Sequence, residues 1–270
     1  MEFTKKVVII TGASSGIGLA LANEFANQGA YVVAAARSKD KLLTLETQAK
    51  NSSGKVMAVH TDVSREEDCK NLIDTTINKF GKIDILISNA GVSMRALFED
   101  TDLHVIGKLM DVNFWGTVYC TKYALPHLLK TKGTLVGVSS VAGYKGLPGR
   151  TGYSASKFAM QGFLGVVRTE NLKKGLHVLI ACPGFTSSNI RNTALAADGT
   201  QQGESPRDEN KMMRAEDVAK RILKAIKKRK RNLVLTTQGR LIVFLNKFFP
   251  TLLDKIIYNQ LAKEPDSPFK

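Results

Sequence analysis

Tyr153 and Lys157, in the run Tyr153-Ser154-Ala155-Ser156-Lys157, stand four residues apart, the spacing that brings two side chains together on one face of a helix. A phenol ordinarily loses its proton near pH ~10, too high for acid–base work at neutrality, and an ammonium beside it favours the phenolate. The pair is therefore suited to carrying a proton to or from a substrate oxygen. The same spacing also describes an ordinary amphipathic helix whose Tyr packs and whose Lys is solvated. Two hydroxyls, Ser139-Ser140, close the apolar run before this segment, where the C-terminal end of a strand would point at a ligand.

A second constellation is Thr11-Gly12-Ala13-Ser14-Ser15-Gly16-Ile17-Gly18, set between a Val/Ile run and an amphipathic stretch. Glycines let the backbone bend tightly and approach a ligand closely, and the helix N-terminus that follows offers free N–H groups to a pyrophosphate. A turn that is glycine-rich only for packing would look alike. The next apolar run ends Ala35-Ala36-Arg37-Ser38. An acidic residue at that strand end would bond a ribose 2′-hydroxyl; a guanidinium is instead suited to a 2′-phosphate, so the expected cofactor is NADP(H).

These groups need a scaffold. Apolar runs of strand length near Lys5–Ile10, Tyr31–Ala35, Lys55–His60, Ile83–Ser88, Gly133–Ser139, Leu176–Cys182 and Asn232–Thr236 alternate with helical periodicity. Helices are expected near Gly16–Gln28, Lys39–Lys50, Arg65–Phe80, Leu103–Lys130, Tyr153–Lys173 and Ala215–Lys228, several ended by Gly29, Gly81, Gly133 and Gly175. The pattern predicts an α/β chain of a single domain over 1–270. Its architecture would be a Rossmann fold, a seven-stranded parallel sheet with helices on both faces and a helical extension over 238–270. The polar stretch 187–214 follows a strand's C-terminal end and reads as a substrate lid.

In this order and spacing, the GxxxGxG turn, Ser140, Tyr153 and Lys157 resemble the short-chain dehydrogenase/reductase family over Lys5 to Thr236. The resemblance implies a single reaction, hydride transfer between nicotinamide and a carbonyl or alcohol. It makes Ser140, thirteen positions before Tyr153, the catalytic serine, leaving Ser139 structural. It also makes Asn113 the holder of a water in the proton relay, and gives Lys157 and Tyr153 contacts to the cofactor. Asp62 and Val63 resemble the family's adenine contact, although Asp62 equally reads as a helix N-terminal signal. Asn89, Ala90 and Gly91 resemble its NAG motif. Pro183, Gly184, Thr186 and Ser188 resemble its nicotinamide segment, with Ser188 standing where Thr is usual. Met94, Tyr144, Phe185 and Met212 are candidate pocket residues.

Composition narrows the partners. Hydrophobic residues at 43% and charged residues at 23% describe a soluble globular chain, and no run reaches the roughly 18 apolar residues of a membrane span. Cys69, Cys120 and Cys182 form no CxxC pair, which suggests neither a disulfide framework nor a metal site and fits the cytoplasm. Of the net charge of +15, a net of +10 lies within 211–270. The basic run Lys227-Lys228-Arg229-Lys230-Arg231, followed by Leu241–Leu245 and Phe248-Phe249-Pro250, resembles the branch that contains acyl-dihydroxyacetone-phosphate reductase. It reads either as a peripheral contact with anionic lipid and a path for an apolar, lipid-like ketone, or as a solvated helix end beside a packing helix. Nucleic-acid binding is not expected, because the run lacks interleaved aromatics. The family resemblance implies a homodimer or homotetramer. The reading opposed to an enzyme is an NADP(H)-binding sensor or scaffold, which would need the cradle and not the set Asn113, Ser140, Tyr153 and Lys157.

Overall fold

The computed structural model describes residues 3–186, 190–203, 212–263, 267 and 269. Strands β1 (Val7–Thr11), β2 (Tyr31–Ala36), β3 (Lys55–His60), β4 (Ile85–Ser88), β5 (Thr134–Val138), β6 (His177–Cys182) and β7 (Asn232–Val234) form one sheet in the order β3-β2-β1-β4-β5-β6-β7. Every neighbouring pair is parallel. A parallel sheet must be covered on both faces, which is why the central strands are continuous Val/Ile runs and β1 is buried at all five positions.

Side chains alternate between two cores, as a period of two requires. Val8 and Ile10 pack with helices α1 (Gly16–Asn27), α2 (Lys39–Gln48) and α7 (Ala215–Lys227), while Ile9 faces the opposite core with α3 (Glu66–Phe80), α5 (Gly116–Thr131) and α6 (Thr151–Glu170). A third, smaller cluster joins Met94, Ala96, Leu195 and α4 (Leu103–Met110). Chain order reverses between β1 and β4, so the crevice for a ligand opens at the C-terminal ends of these two strands.

Three local expectations change. The helix anticipated over Leu103–Lys130 is two helices joined by a π-turn at Asp111–Trp115. Gly133 is not the left-handed end of α5: Lys132 takes that conformation, with φ +48. Gly133 is required by proximity instead, since a Cβ there would lie 2.5 Å from the Asp84 carbonyl oxygen. Thirdly, strand β7 separates the basic run from the apolar segment. The run leads into β7 at the edge where strands begin, and its backbone is tied to β6, with the Arg231 carbonyl accepting from Ile180. Helices α8 (Thr237–Phe248) and α9 (Pro250–Leu261) follow at the edge where strands end. No helix among the described residues is long and apolar enough to cross a membrane.

Candidate active site

The β1–α1 turn is built by close backbone approach. Gly12 has φ +67, and a Cβ on it would sit 2.8 Å from Ala90 Cα; one on Gly18 would sit 2.1 Å from the Gly12 carbonyl oxygen. Asn89 Nδ2 donates to the Thr11 and Gly12 carbonyls at 2.9 and 3.3 Å, and the N–H groups of Asn89 and Ala90 donate to Thr11 Oγ1. These bonds lock the ends of β1 and β4 side by side. Gly16 opens α1, Ser14 and Ser15 precede it, and Ser15 at the N-cap makes no side-chain capping bond; the first turn carries no acidic residue. The positive end of the helix is thus left uncovered by its own side chains.

Arg37 and Ser38 are exposed after β2, and Ser38 occupies the N-cap of α2 without a capping bond. Past the end of β3, Asp62 Oδ1 accepts from the Ser64 N–H at 3.0 Å and from its hydroxyl at 2.7 Å. Burial alone would raise its pKa; the Ser64 bonds and the charges of Arg37 and Arg65 outweigh that and hold it below the ordinary range. Asp62 therefore shapes the turn into α3 and lies within electrostatic reach of Arg37. Val63 is buried against Gly116 at the start of α5.

The proton-transfer candidates converge at the mouth of β5. Ser140 Oγ accepts from the Ala142 N–H at 3.1 Å, and Ser140 and Tyr153 line the same cavity. Burial raises the Tyr153 pKa, opposed by the Ser140 bond and by the charges of Arg150 and Arg191. Lys157 Nζ donates to the Val138 carbonyl at 3.0 Å and lies 5.8 Å from the Tyr153 ring centroid. Lys157 is thus held to β5 with its ammonium beside the Tyr153 ring. The Ser139 hydroxyl accepts from Gln161 Nε2 at 2.9 Å.

Asn113 sits fully buried in the π-turn, a widening of the helix that occurs often at functional sites. Its Oδ1 accepts from the Val92 N–H at 2.8 Å, and its Nδ2 donates to the Val92 carbonyl at 3.0 Å and to Ser156 Oγ at 2.9 Å. Ser156 in turn donates to the Tyr153 carbonyl at 2.8 Å. The side-chain amide thus ties the loop after β4 to the helix of Tyr153. Asn113→Ala leaves the half-buried Val92 N–H and carbonyl and the buried Ser156 hydroxyl without these partners and is expected to lower unfolding free energy by about 2–4 kcal/mol. Urea denaturation checks this, and a loss under about 0.5 kcal/mol would contradict it.

One cavity gathers Ile17, Asn89, Gly91, Ser140, Tyr153, Lys157, Pro183, Gly184 and Thr186 from among the anticipated residues. A Cβ on Gly91 would lie 3.1 Å from Asn113 Oδ1, and one on Gly184 would lie 2.6 Å from Thr236 Oγ1, so both glycines permit close packing at its wall. Gly12, Ser14, Ser15, Gly16, Gly18, Arg37, Ser38, Asp62, Val63, Ala90 and Asn113 are not among its lining residues. Ser188 falls outside the described residues, as does part of 187–214. The described part of that stretch is fixed to the body: Leu195 is buried, bridged to Met94 and Gln201.

Residues 6–198 match the family model for short chain dehydrogenases. The chain belongs to that family. The chain is 46% identical over 189 residues to 11-beta-hydroxysteroid dehydrogenase-like 2 of Arabidopsis thaliana, covering 69% of this chain and 61% of that protein. It spans about three fifths of the length of this relative and of the -like 3 protein of the same plant. Against 11-beta-hydroxysteroid dehydrogenase-like 4A of Arabidopsis thaliana it is 37% identical over 250 residues, 92% of this chain and 82% of that protein. Its fold is similar to a short chain dehydrogenase/reductase from Burkholderia phymatum in complex with NAD, with a TM-score of 0.83 at 24% identity, covering 93% and 96% of the two chains. An alcohol dehydrogenase from Thermococcus sibiricus, complexed with 5-hydroxy-NADP, gives 0.76 at 23% identity, covering 86% and 96%.

Much of the cavity wall comes from residues that no sequence motif marks. Ile242 of α8 and Ile257, Gln260 and Leu261 of α9 line it, as do Arg95, Arg150 and Arg191. Of the four further pocket candidates only Phe185 lines it; Met94 is fully buried in the third cluster, and Tyr144 packs against the core that holds Ile9. Lys157 is 3% exposed, and burial draws its pKa down to about 8. Above that value and up to the ordinary lysine range, the unfolded chain holds a proton that the folded one has released. This group's contribution to stability therefore rises with pH across the window, and below it the buried ammonium destabilises by up to about 3 kcal/mol. Unfolding free energy of the ligand-free protein, measured against Lys157→Met, should shift toward the wild type as pH rises from about 7.5 to about 10. A difference independent of pH would contradict the assignment.

Proposed function

We propose that this chain is an NADP(H)-dependent oxidoreductase acting on a carbonyl or alcohol, chiefly as a reductase of apolar or lipid-like ketones. The observation that carries this reading is the convergence of the Ser140 and Tyr153 hydroxyls and the Lys157 ammonium in one cavity at the sheet edge. The residues present fit a dinucleotide: the Gly12 and Gly18 positions have no room for a Cβ, and the N-terminus of α1 beside them is left uncovered by its own side chains. Gly12 to Gly18 would hold the pyrophosphate, Arg37 and Ser38 the 2′-phosphate, and Lys157 the ribose next to the nicotinamide. When bound, that group supplies or accepts the hydride.

The protein's part is orientation and proton management. Ser140 and Tyr153 hold the substrate oxygen between two hydroxyls. Tyr153 rests as a neutral phenol, the form that can pass its proton to an oxygen that gains negative charge. Asn113 acts as a positioning residue through Val92 and Ser156. The apolar wall from Ile242, Ile257 and Leu261 favours a substrate with a hydrocarbon body, in keeping with relatives named for hydroxysteroids. Following NADPH absorbance against a panel of steroid and aliphatic ketones tests the reading. Oxidation dependent on a ketone is expected; tight NADPH binding with no turnover on any member would overturn it in favour of a sensor.

A further inference from the structure

We infer that helices α8 and α9 lay their outer face on an anionic lipid surface, so that the cavity they help to wall draws an apolar ketone from the bilayer. The ketone rests on the reductase reading; the lipid contact does not. Leu241, Phe244 and Phe248 recur at the spacing of one stripe along α8, and the rings of Phe244 and Phe248 meet with 5.0 Å between centroids. Phe249 carries the chain into α9, where Leu252 and Ile256 stand one turn apart. All six are 44–56% exposed. Apolar residues scattered singly over a surface are ordinary, whereas large ones gathered on two consecutive helices mark an interaction face.

The charges around this face name its occupant. Between 237 and 263 the sequence sets Arg240, Lys247, Lys255 and Lys263 against one carboxylate, Asp254, and that carboxylate is ion-paired with Lys145. Arg240, Lys247 and Lys255 are exposed, and each is the immediate neighbour of an exposed apolar residue: Leu241, Phe248 and Ile256. Long basic side chains lay their stems on apolar surface and keep their charge at the level of lipid headgroups. A second copy turned onto this face would set cations against cations, with the carboxylate already engaged, so anionic headgroups complement it and its own image does not. The inner side of the same helices supplies Ile242, Ile257 and Leu261 to the cavity wall, which leaves only the thickness of α8 and α9 between outer face and cavity. The basic run before β7 lies at the opposite edge of the sheet and takes no part in this surface.

Sedimentation of the full chain with vesicles of phosphatidylcholine, alone or mixed with phosphatidylglycerol, tests the inference. Wild type should bind the mixed vesicles more tightly and lose that advantage as salt rises. Arg240→Gln, Lys247→Gln and Lys255→Gln combined should weaken binding to mixed vesicles by about 10²-fold, at about fivefold per cation. Leu241→Gln, Phe244→Gln and Phe248→Gln combined should weaken binding to both kinds by about tenfold or more. Lys228→Gln with Lys230→Gln, at the opposite edge, should leave binding unchanged. Circular dichroism reports whether each variant is folded, and Phe244→Trp in a Trp115→Phe chain gives a readout that needs no loss: its fluorescence should be quenched by lipids brominated on their acyl chains. No binding to mixed vesicles at low salt, or binding that survives the α8 changes and is abolished by those at Lys228 and Lys230, overturns the inference. A wild type that ignores vesicles but self-associates, in a complex that the α8 Gln variant dissolves, overturns it in favour of a second copy. Vesicle binding without turnover of any ketone upholds the lipid contact and sinks the reductase reading.

Discussion

Tyr153→Phe should lower ketone-dependent NADPH oxidation by about 10²–10⁴-fold, the range lost when a positioned general acid is removed. The phenol is the group placed to donate: it lines the cavity beside Ser140 and Lys157. The substitution preserves the ring that packs against Met94, Val105 and Leu109. Only one hydrogen bond is lost, about 0.5–1.5 kcal/mol, so the variant should remain folded. NADPH affinity should change little, since the glycine turn and the end of β2 are untouched. A fall in kcat with a near-constant NADPH Kd, read by stopped flow and by fluorescence titration, is the expected pattern. Turnover within about threefold of wild type would place the acid elsewhere.

The second large effect concerns cofactor choice. Arg37→Ser should weaken NADPH binding by about 10–100-fold while leaving NADH binding nearly unchanged, because only the 2′-phosphate loses a charge-assisted partner. Arg37 is exposed and bonds no structural element tightly, so the fold should not suffer. Serine is the informative replacement: an Asp would add a second negative charge near Asp62, whose carboxylate Arg37 helps keep ionised. Equal loss of both cofactors would mean that Arg37 serves the turn and not the phosphate.

What the sequence disclosed follows from the range of the interactions concerned. Strand β3 falls on Lys55–His60 as its pattern predicts, because alternation and flanking turns are local signals. The glycine turn was legible for the same reason, since a left-handed residue and a close approach restrict the amino acid directly. The π-turn around Asn113 was not: nothing in the apolar spacing of Leu103–Lys130 marks one extra residue in the helix, and it is the tie to Val92 that favours it. Gly133 was misread because a helix-ending glycine and one pressed against a neighbouring backbone have the same letter. The largest omission was the cavity wall from α8 and α9. These helices return over the sheet edge some hundred residues after Ser140 in the sequence, and no local pattern records which residues they will face. Met94 and Tyr144 failed as pocket residues for the converse reason, being apolar side chains near the site in sequence but turned into packing.

The central claim, that this cavity brings a ketone to a hydride donor with Tyr153 supplying the proton, is tested most directly by isotope transfer. Wild-type protein is incubated with a ketone it turns over and with NADPH deuterated at both hydrogens of nicotinamide C4, and the alcohol is analysed by mass spectrometry and NMR. A single deuterium on the carbinol carbon, together with a hydroxyl proton drawn from solvent, is the predicted outcome. An alcohol without deuterium at that carbon would contradict it.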